Sequence, residues 1–166
     1  MTRLPTLFVS HGSPMLALEP GTTGPVLTKV GERLPRPKAI LVISAHWLTH
    51  QPTLSSSKAP ETIHDFGGFP RALYSLQYPA PGSPELAAQV QAMLKNIGLE
   101  AKLDEHRGLD HGAWVPLRYL YPQADIPVVQ LSLNPSVPPK LQFALGQFLQ
   151  SLSSEGVLIL ASGSFT

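Results

Sequence analysis

The sequence predicts an α/β fold in which a mainly parallel central sheet carries helices on both faces. Three observations support this prediction: continuous apolar runs of strand length, amphipathic stretches between those runs, and segments rich in Pro and Gly that separate the two. Interior strands of a parallel sheet are buried on both faces, so their sequences are apolar without interruption. Strands that alternate with amphipathic helices form βαβ units, and such units cover the sheet on both sides.

The N-terminal half contains two predicted strands, one helix and one long loop. Residues 6–10 predict a short, fully buried strand, and residues 25–33 predict the first helix. Residues 39–45 form the clearest strand of the chain, because they are rich in β-branched residues and contain no breaker. We expect an irregular segment over residues 48–81, with one helical turn near 71–76. A loop of this length inside a compact domain is usually functional.

Two amphipathic helices are predicted in the C-terminal half. Ser83, Pro84 and Glu85 form a typical helix start, with a capping Ser, a Pro at the first helical position and an acid in the first turn. Gly98 is placed to end that helix. The second helix is predicted over residues 136–154, and its apolar face consists of Leu141, Ala144, Leu145, Phe148, Leu149 and Leu152.

The remaining apolar runs complete the alternating pattern. Residues 99–103, 127–133 and 156–161 predict strands, and residues 113–120 predict an apolar helix. No helix follows the run at 156–161, so we expect part of the sheet edge or face to lie uncovered. We therefore expect residues 1–166 to form one α/β domain that is C-terminally incomplete, the N-terminal portion of a longer catalytic domain.

Composition excludes several classes of protein. The 166 residues are 43% hydrophobic and 14% charged, which is typical of one domain with a substantial core. A formal net charge of +1 gives no indication of a nucleic-acid-binding face. The absence of Cys excludes a disulfide scaffold and any thiolate ligand. No apolar run approaches the roughly 20 residues that span a bilayer, and no signal peptide is evident, so we expect a cytoplasmic protein without membrane contact.

Two histidines each follow a predicted strand directly. His11 comes after the run at 6–10, and His46 comes after the run at 39–45. In α/β sheets, ligands and metals bind outside the carboxyl ends of the strands. We therefore interpret His11 and His46 as metal ligands, although each could instead cap its strand. Nitrogen ligands without sulfur suit Zn, Fe(II), Cu or Ni.

Two further segments could contribute to a site. His64 and Asp65 lie in the long loop before Gly67 and Gly68, where they could meet a polar substrate or simply flank a tight turn. Asp110 and His111 precede the helix at 113–120. The helix dipole would favour a neutral imidazole at His111, suited to hydrogen bonding with an anion or a bound oxygen. The alternative is that Asp110 caps the helix and His111 lies at the surface.

Six short segments together resemble the class III extradiol ring-cleavage dioxygenases, the LigB-like superfamily, and within it the DOPA 4,5-dioxygenase branch. Each segment is weakly specific alone, but the six occur in order over nearly the whole chain. They are residues 11–14, 44–47, 62–70, 78–84, 108–114 and 125–132.

The resemblance implies one non-haem metal ion, with Fe(II) expected and Zn²⁺ able to take its place, and a catecholic, DOPA-like substrate cleaved by O₂. It implies that His11 and His46 are metal ligands, that His111 is catalytic, and that His64 and Asp65 bind substrate. It also implies a further ligand and a catalytic His downstream of the Ala-Ser-Gly motif at 161–163. We therefore expect the 166-residue chain alone to be inactive or nearly so.

Three other interpretations remain open from the sequence. A zinc-dependent hydrolase could use the same ligands to activate water. A metal-binding or signalling protein without enzymatic activity would also fit an incomplete ligand set. A third interpretation is a fragment whose missing half is supplied by another polypeptide. The sequence leaves the oligomeric state, the catechol and the ring bond that is cleaved undetermined.

Overall fold

The computed structural model describes residues 3–164, which include the Ala-Ser-Gly motif at 161–163 but not Met1, Thr2, Phe165 and Thr166. Strands and helices alternate through this range, with 3₁₀-helices at Pro14–Ala17 and Gln150–Glu155. The strands are β1 (Thr6–Ser10), β2 (Ala39–Ser44), β3 (Thr53–Ser55), β4 (Lys102–Asp104), β5 (Val128–Gln130) and β6 (Val157–Gly163). The α-helices are α1 (Thr23–Arg33), α2 (Arg71–Tyr74), α3 (Pro84–Asn96), α4 (His111–Leu120) and α5 (Pro139–Leu149).

The main sheet within residues 3–164 has four strands in the order β1-β6-β2-β5, and every neighbouring pair is parallel. This confirms the predicted parallel sheet. The last strand, β6, lies between β1 and β2, so it is a central strand and the exposed part of the sheet is at its edge. β1 is an edge strand. Thr6, Phe8 and Ser10 are exposed, which corrects the prediction that this strand is fully buried.

Apolar side chains of the sheet alternate between two cores, one on each face, as the pleat of a strand requires. On one face Ile40 and Leu160 pack with Leu117 of α4. On the opposite face Leu41 and Ile159 pack with side chains of α3 and of the 3₁₀-helix at Gln150–Glu155. The prediction of helical layers on both faces is therefore confirmed.

Residues 48–81 are more ordered than the sequence predicts. β3 (Thr53–Ser55) is buried and pairs in parallel with β4 to form a second, two-stranded sheet. Leu54 of β3 also forms an isolated antiparallel bridge with Leu131, which joins this small sheet to the end of β5. A three-residue strand in a segment rich in Pro and Ser carries too short a pattern to be recognised before its partner is known.

Helices α3 and α5 differ in how well the sequence predicts them. Ser83 caps α3 by accepting a hydrogen bond from the backbone N of Leu86, as expected. The predicted helix at 136–154 is shorter, because α5 gives way to a 3₁₀-helix at Gln150. Leu141, placed on the apolar face by its spacing, is 58% exposed. None of the helices in residues 3–164 has both the length and the apolar character needed to cross a bilayer.

Candidate metal centre

His11 and His46 meet above the carboxyl end of β6. The backbone N of His11 donates to the carbonyl of Gly163 (3.0 Å), and the N of Ala45 donates to the carbonyl of Ser162 (3.0 Å). The hydrogen-bond ladders that join β1 and β2 to β6 thus extend one residue beyond the end of β1 and of β2. The two side chains converge from opposite sides, and the Nε2 atoms of His11 and His46 lie 2.8 Å apart.

His111, the first residue of α4, brings a third imidazole to the same place. Its ring centroid lies 4.0 Å from that of His46 and 5.3 Å from that of His11. One nitrogen from each of the three rings lies within 4.8 Å of the others. His11 and His111 are buried and His46 is exposed, so the cluster opens to solvent on the side of His46.

The electrostatics of the cluster favour neutral imidazoles. Burial, together with the neighbouring His46 and His111, lowers the pKa of His11 to about 4. Burial and the proximity of His111 also lower the pKa of His46. Neutral imidazole nitrogens are what a metal ion requires from histidine. Two ligands at about 2.1 Å and a right angle would lie about 3 Å apart, close to the observed separation, so these residues fit a nitrogen-bound metal ion.

Polar contacts hold two of the three rings by the nitrogen that faces away from the cluster, a hydrogen bond for His11 and a close carboxylate contact for His111. The Nδ1 atom of His11 lies 2.8 Å from the hydroxyl of Ser162. The carboxylate of Asp65 engages His111 twice, since Oδ1 accepts from the backbone N (2.9 Å) and Oδ2 lies 2.9 Å from Nδ1. Such outer partners orient a histidine and fix its tautomer. The Nε2 atom of His111 is thereby left for the cluster.

The Asp65 carboxylate is held in its charged form. Burial raises its pKa, but the hydrogen bonds from the side chain and backbone of His111 outweigh burial, so the pKa lies below its ordinary value. Asp65 and His111 are 46 residues apart in the sequence. The sequence singled out both residues but did not pair them.

The structure places His64 outside the three-histidine cluster. Its Nε2 atom lies 2.8 Å from the carbonyl of Leu76, and the ring borders a cavity of about 440 Å³ lined also by Glu61 and Gln77. The ring of Phe66 contacts both His64 and the three-histidine cluster. Its centroid lies 5.9 Å from that of His64 and 5.6 Å from that of His111. The two residues predicted together, His64 and Asp65, therefore face different surroundings.

Asp110 and its partners form a network that sequence reasoning missed. Asp110 stands at the N-terminus of α4, but its side chain makes no capping hydrogen bond. Its carboxylate is instead buried among Ser44, Arg107 and Gln130. The sequence did show an acid, Asp110, next to a predicted site histidine. It could not show the network, because the partners of Asp110 come from three different parts of the chain.

The chain matches known proteins over nearly its full length. Residues 5–166 match the family described as the catalytic LigB subunit of aromatic ring-opening dioxygenase. The chain is 48% identical over 164 residues to a protein of Escherichia coli (strain K12) named 4,5-DOPA dioxygenase extradiol, covering 98% of this chain and 60% of that protein. It is 49% identical to the protein of the same name from Beta vulgaris, covering 97% of this chain and 62% of that protein.

A solved structure also matches nearly the whole chain. The crystal structure of an uncharacterized protein from Escherichia coli K12 superposes with a TM-score of 0.80 at 40% sequence identity, covering 97% of this chain and 60% of that one. The chain thus spans about 60% of the length of the relatives that it matches.

Proposed function

The chain belongs to the LigB family of aromatic ring-opening dioxygenases, and we propose that it takes part in extradiol cleavage of a catecholic ring by O₂ at a single metal ion. The observation that carries the proposal is the convergence of three imidazole nitrogens within 4.8 Å at the carboxyl end of a parallel sheet. The names of the relatives indicate a DOPA-like catechol as the substrate class.

His11 and His46 are the proposed metal ligands. Their Nε2 atoms face one another, and the lowered pKa values of both keep them unprotonated near neutral pH. Fe(II) is the metal we propose, with Zn²⁺ as an ion that the same nitrogens would accept. When bound, Fe(II) would hold the catechol oxygens and O₂ together and would let electron density pass between them, whereas redox-inactive Zn²⁺ would only bind the oxygens.

His111 is the proposed catalytic residue. With Nδ1 directed to Asp65, its Nε2 atom can accept or return the proton of a substrate hydroxyl and can hydrogen bond to a developing oxygen anion. Both oxygens of Asp65 are engaged with His111, so we propose that Asp65 acts through His111 rather than on the substrate directly. We propose that His64 contacts a part of the substrate remote from the ring, because it borders the neighbouring cavity.

The test is oxygen consumption by the protein as its gene expresses it, loaded with Fe(II) and mixed with L-DOPA. We expect O₂ uptake in step with the visible absorbance of a ring-opened product. Metal binding without O₂ uptake would instead favour a metal-binding protein without enzymatic activity. Ester or amide hydrolysis by Zn²⁺-loaded protein under anaerobic conditions would favour the hydrolase interpretation.

A further inference from the structure

We propose that Asp110 is a positioning residue that holds His46 and His111 in one fixed arrangement through a buried hydrogen-bond network. The inference deepens the proposed function and rests on it. Asp110 lies outside the three-histidine cluster, and its effect is transmitted through Ser44 and through the first turn of α4.

The Asp110 carboxylate is completely buried, and each of its oxygens is occupied. Oδ1 accepts from the hydroxyl of Ser44 (2.7 Å), and Oδ2 accepts from Arg107 Nη2 (2.9 Å) and Gln130 Nε2 (3.0 Å). The Gln130 side chain also accepts from the backbone N of Asp110 (3.1 Å). A buried carboxylate is tolerated only when it is paired and hydrogen-bonded in this way, which makes the arrangement rigid.

Ser44 connects Asp110 to His46. Ser44 is the last residue of β2, and its hydroxyl oxygen accepts from the backbone N of His46 (3.2 Å) while its hydrogen is donated to Asp110. The carboxylate can only accept, so the direction of both hydrogen bonds is fixed. The backbone at His46 is therefore held at a set distance from the start of α4.

The Asp110 backbone connects the same network to His111. The carbonyl of Asp110 accepts from the N atoms of Ala113 (2.9 Å) and Trp114 (3.0 Å), which closes the first turn of the helix that His111 begins.

Close packing at Gly112 reinforces this connection. A Cβ at Gly112 would lie 2.3 Å from the Ser44 hydroxyl and 3.1 Å from His46 Cδ2. Only glycine lets the two segments approach this closely.

Metal affinity separates a positioning role from a purely structural one. Co²⁺ serves as the probe, because its visible absorption reports both affinity and ligand geometry. The test variants are D110N and S44A, and the control is S132A. Ser132 is also a buried hydroxyl near a strand end, where it accepts from the backbone N of Thr53 (3.0 Å), but it does not touch the histidine network.

We expect D110N and S44A to retain the wild-type far-UV circular dichroism spectrum but to bind Co²⁺ about 10- to 100-fold more weakly, with a shifted absorption band. S132A should bind as the wild type does. The double variant D110N/S44A should be no weaker than the weaker single variant, because both substitutions interrupt the same chain of hydrogen bonds.

Several results would overturn the inference. Wild-type Co²⁺ affinity in a folded D110N or S44A variant would do so. If only one of the two variants folds, its Co²⁺ affinity is sufficient for the test. Loss of the fold in both variants would identify Asp110 as a folding residue, and an equal loss of affinity in S132A would show a general effect of removing hydroxyls. Failure of the wild type to bind Co²⁺ would instead overturn the proposed function itself.

Discussion

At the scale of single residues, the proposed ligands can be tested against a histidine only four positions away. His46 faces His11 across 2.8 Å, whereas His50 is exposed and makes no part of the three-histidine cluster. We expect H46A to weaken Co²⁺ or Zn²⁺ binding by roughly 100-fold or more, since removing a ligand exceeds the effect of removing an outer partner. Competition with a chromophoric chelator measures the affinity. H50A should bind normally, and equal losses in both variants would contradict the ligand assignment.

The pairing of His111 with Asp65 leads to a second prediction. We expect H111A and D65N to lower turnover by about 10-fold or more while the metal content stays at the wild-type value, because both residues act on the proton and not on the metal. Turnover and metal analysis on the same samples give the two quantities. D125N is the matched control, because Asp125 is half-exposed in a surface pair with Arg36. Loss of metal in H111A would show that His111 is a ligand.

The residues of the site differ in how far the sequence could predict them. His11 and His46 could be placed together, because parallel strands deliver their carboxyl ends to one edge of the sheet. The contact of Asp65 with His111 could not, since it spans 46 residues and depends on how the long loop folds back over α4. Asp110 and Gln130 likewise meet because β5 lies beside β2, whose last residue, Ser44, contacts Asp110.

At the scale of secondary-structure elements, long apolar patterns in the sequence predicted strands and helices correctly, whereas short patterns did not. β2 and α3 were recognisable from continuous or periodic apolar residues and, for α3, from its Ser83 cap. β3 was missed because its three residues are buried by pairing with β4, a contact that local sequence does not encode. The end of α5 was also misplaced, because apolar spacing continues through the 3₁₀-helix that follows.

The packing of α1 against α4, which carries His111, brings Gly31 directly against the α4 backbone. A Cβ at Gly31 would lie 1.9 Å from the backbone carbonyl oxygen of Leu120, at the end of α4. Backbone atoms cannot yield as a flexible side chain can. We therefore expect G31A to lower the free energy of unfolding by about 1–3 kcal/mol.

Gly146 in α5 provides the matched control for this packing prediction. A Cβ there would have no neighbour within 4 Å. G146A should raise stability by about 0.5–1 kcal/mol, since glycine is unfavourable inside a helix. Urea denaturation measures both changes. A G31A protein as stable as the wild type would contradict the close helix contact.

At the scale of the whole molecule, the sheet order makes the site depend on the last strand. β6 is the final strand in the described sequence, yet it supplies the ladder on which both β1 and β2 are aligned. The positions of His11 and His46 therefore depend on β6 lying between their strands. The sequence predicted the strands and their parallel direction but not this order, which is set by tertiary packing on both faces of the sheet.

A metal ion held by His11 and His46 would join β1, an edge strand, to β2 across the centre of the sheet. Binding to the folded protein alone raises its stability, by about 2.7 kcal/mol when free metal is at 100 times its Kd. For 166 residues this corresponds to an increase in Tm of about 5–10 °C. Differential scanning calorimetry with and without Co²⁺ measures the shift, which a chelator should reverse.

The same calorimetric experiment separates specific ligation from general ion effects. Mg²⁺ prefers oxygen ligands and should leave Tm unchanged, because the cluster presents imidazole nitrogens. H11A should abolish the Co²⁺ shift, since only one of the two facing Nε2 atoms then remains. H50A should preserve the full shift. A Co²⁺ shift that persists in H11A would place the ion elsewhere on the protein and would exclude the bridge between β1 and β2.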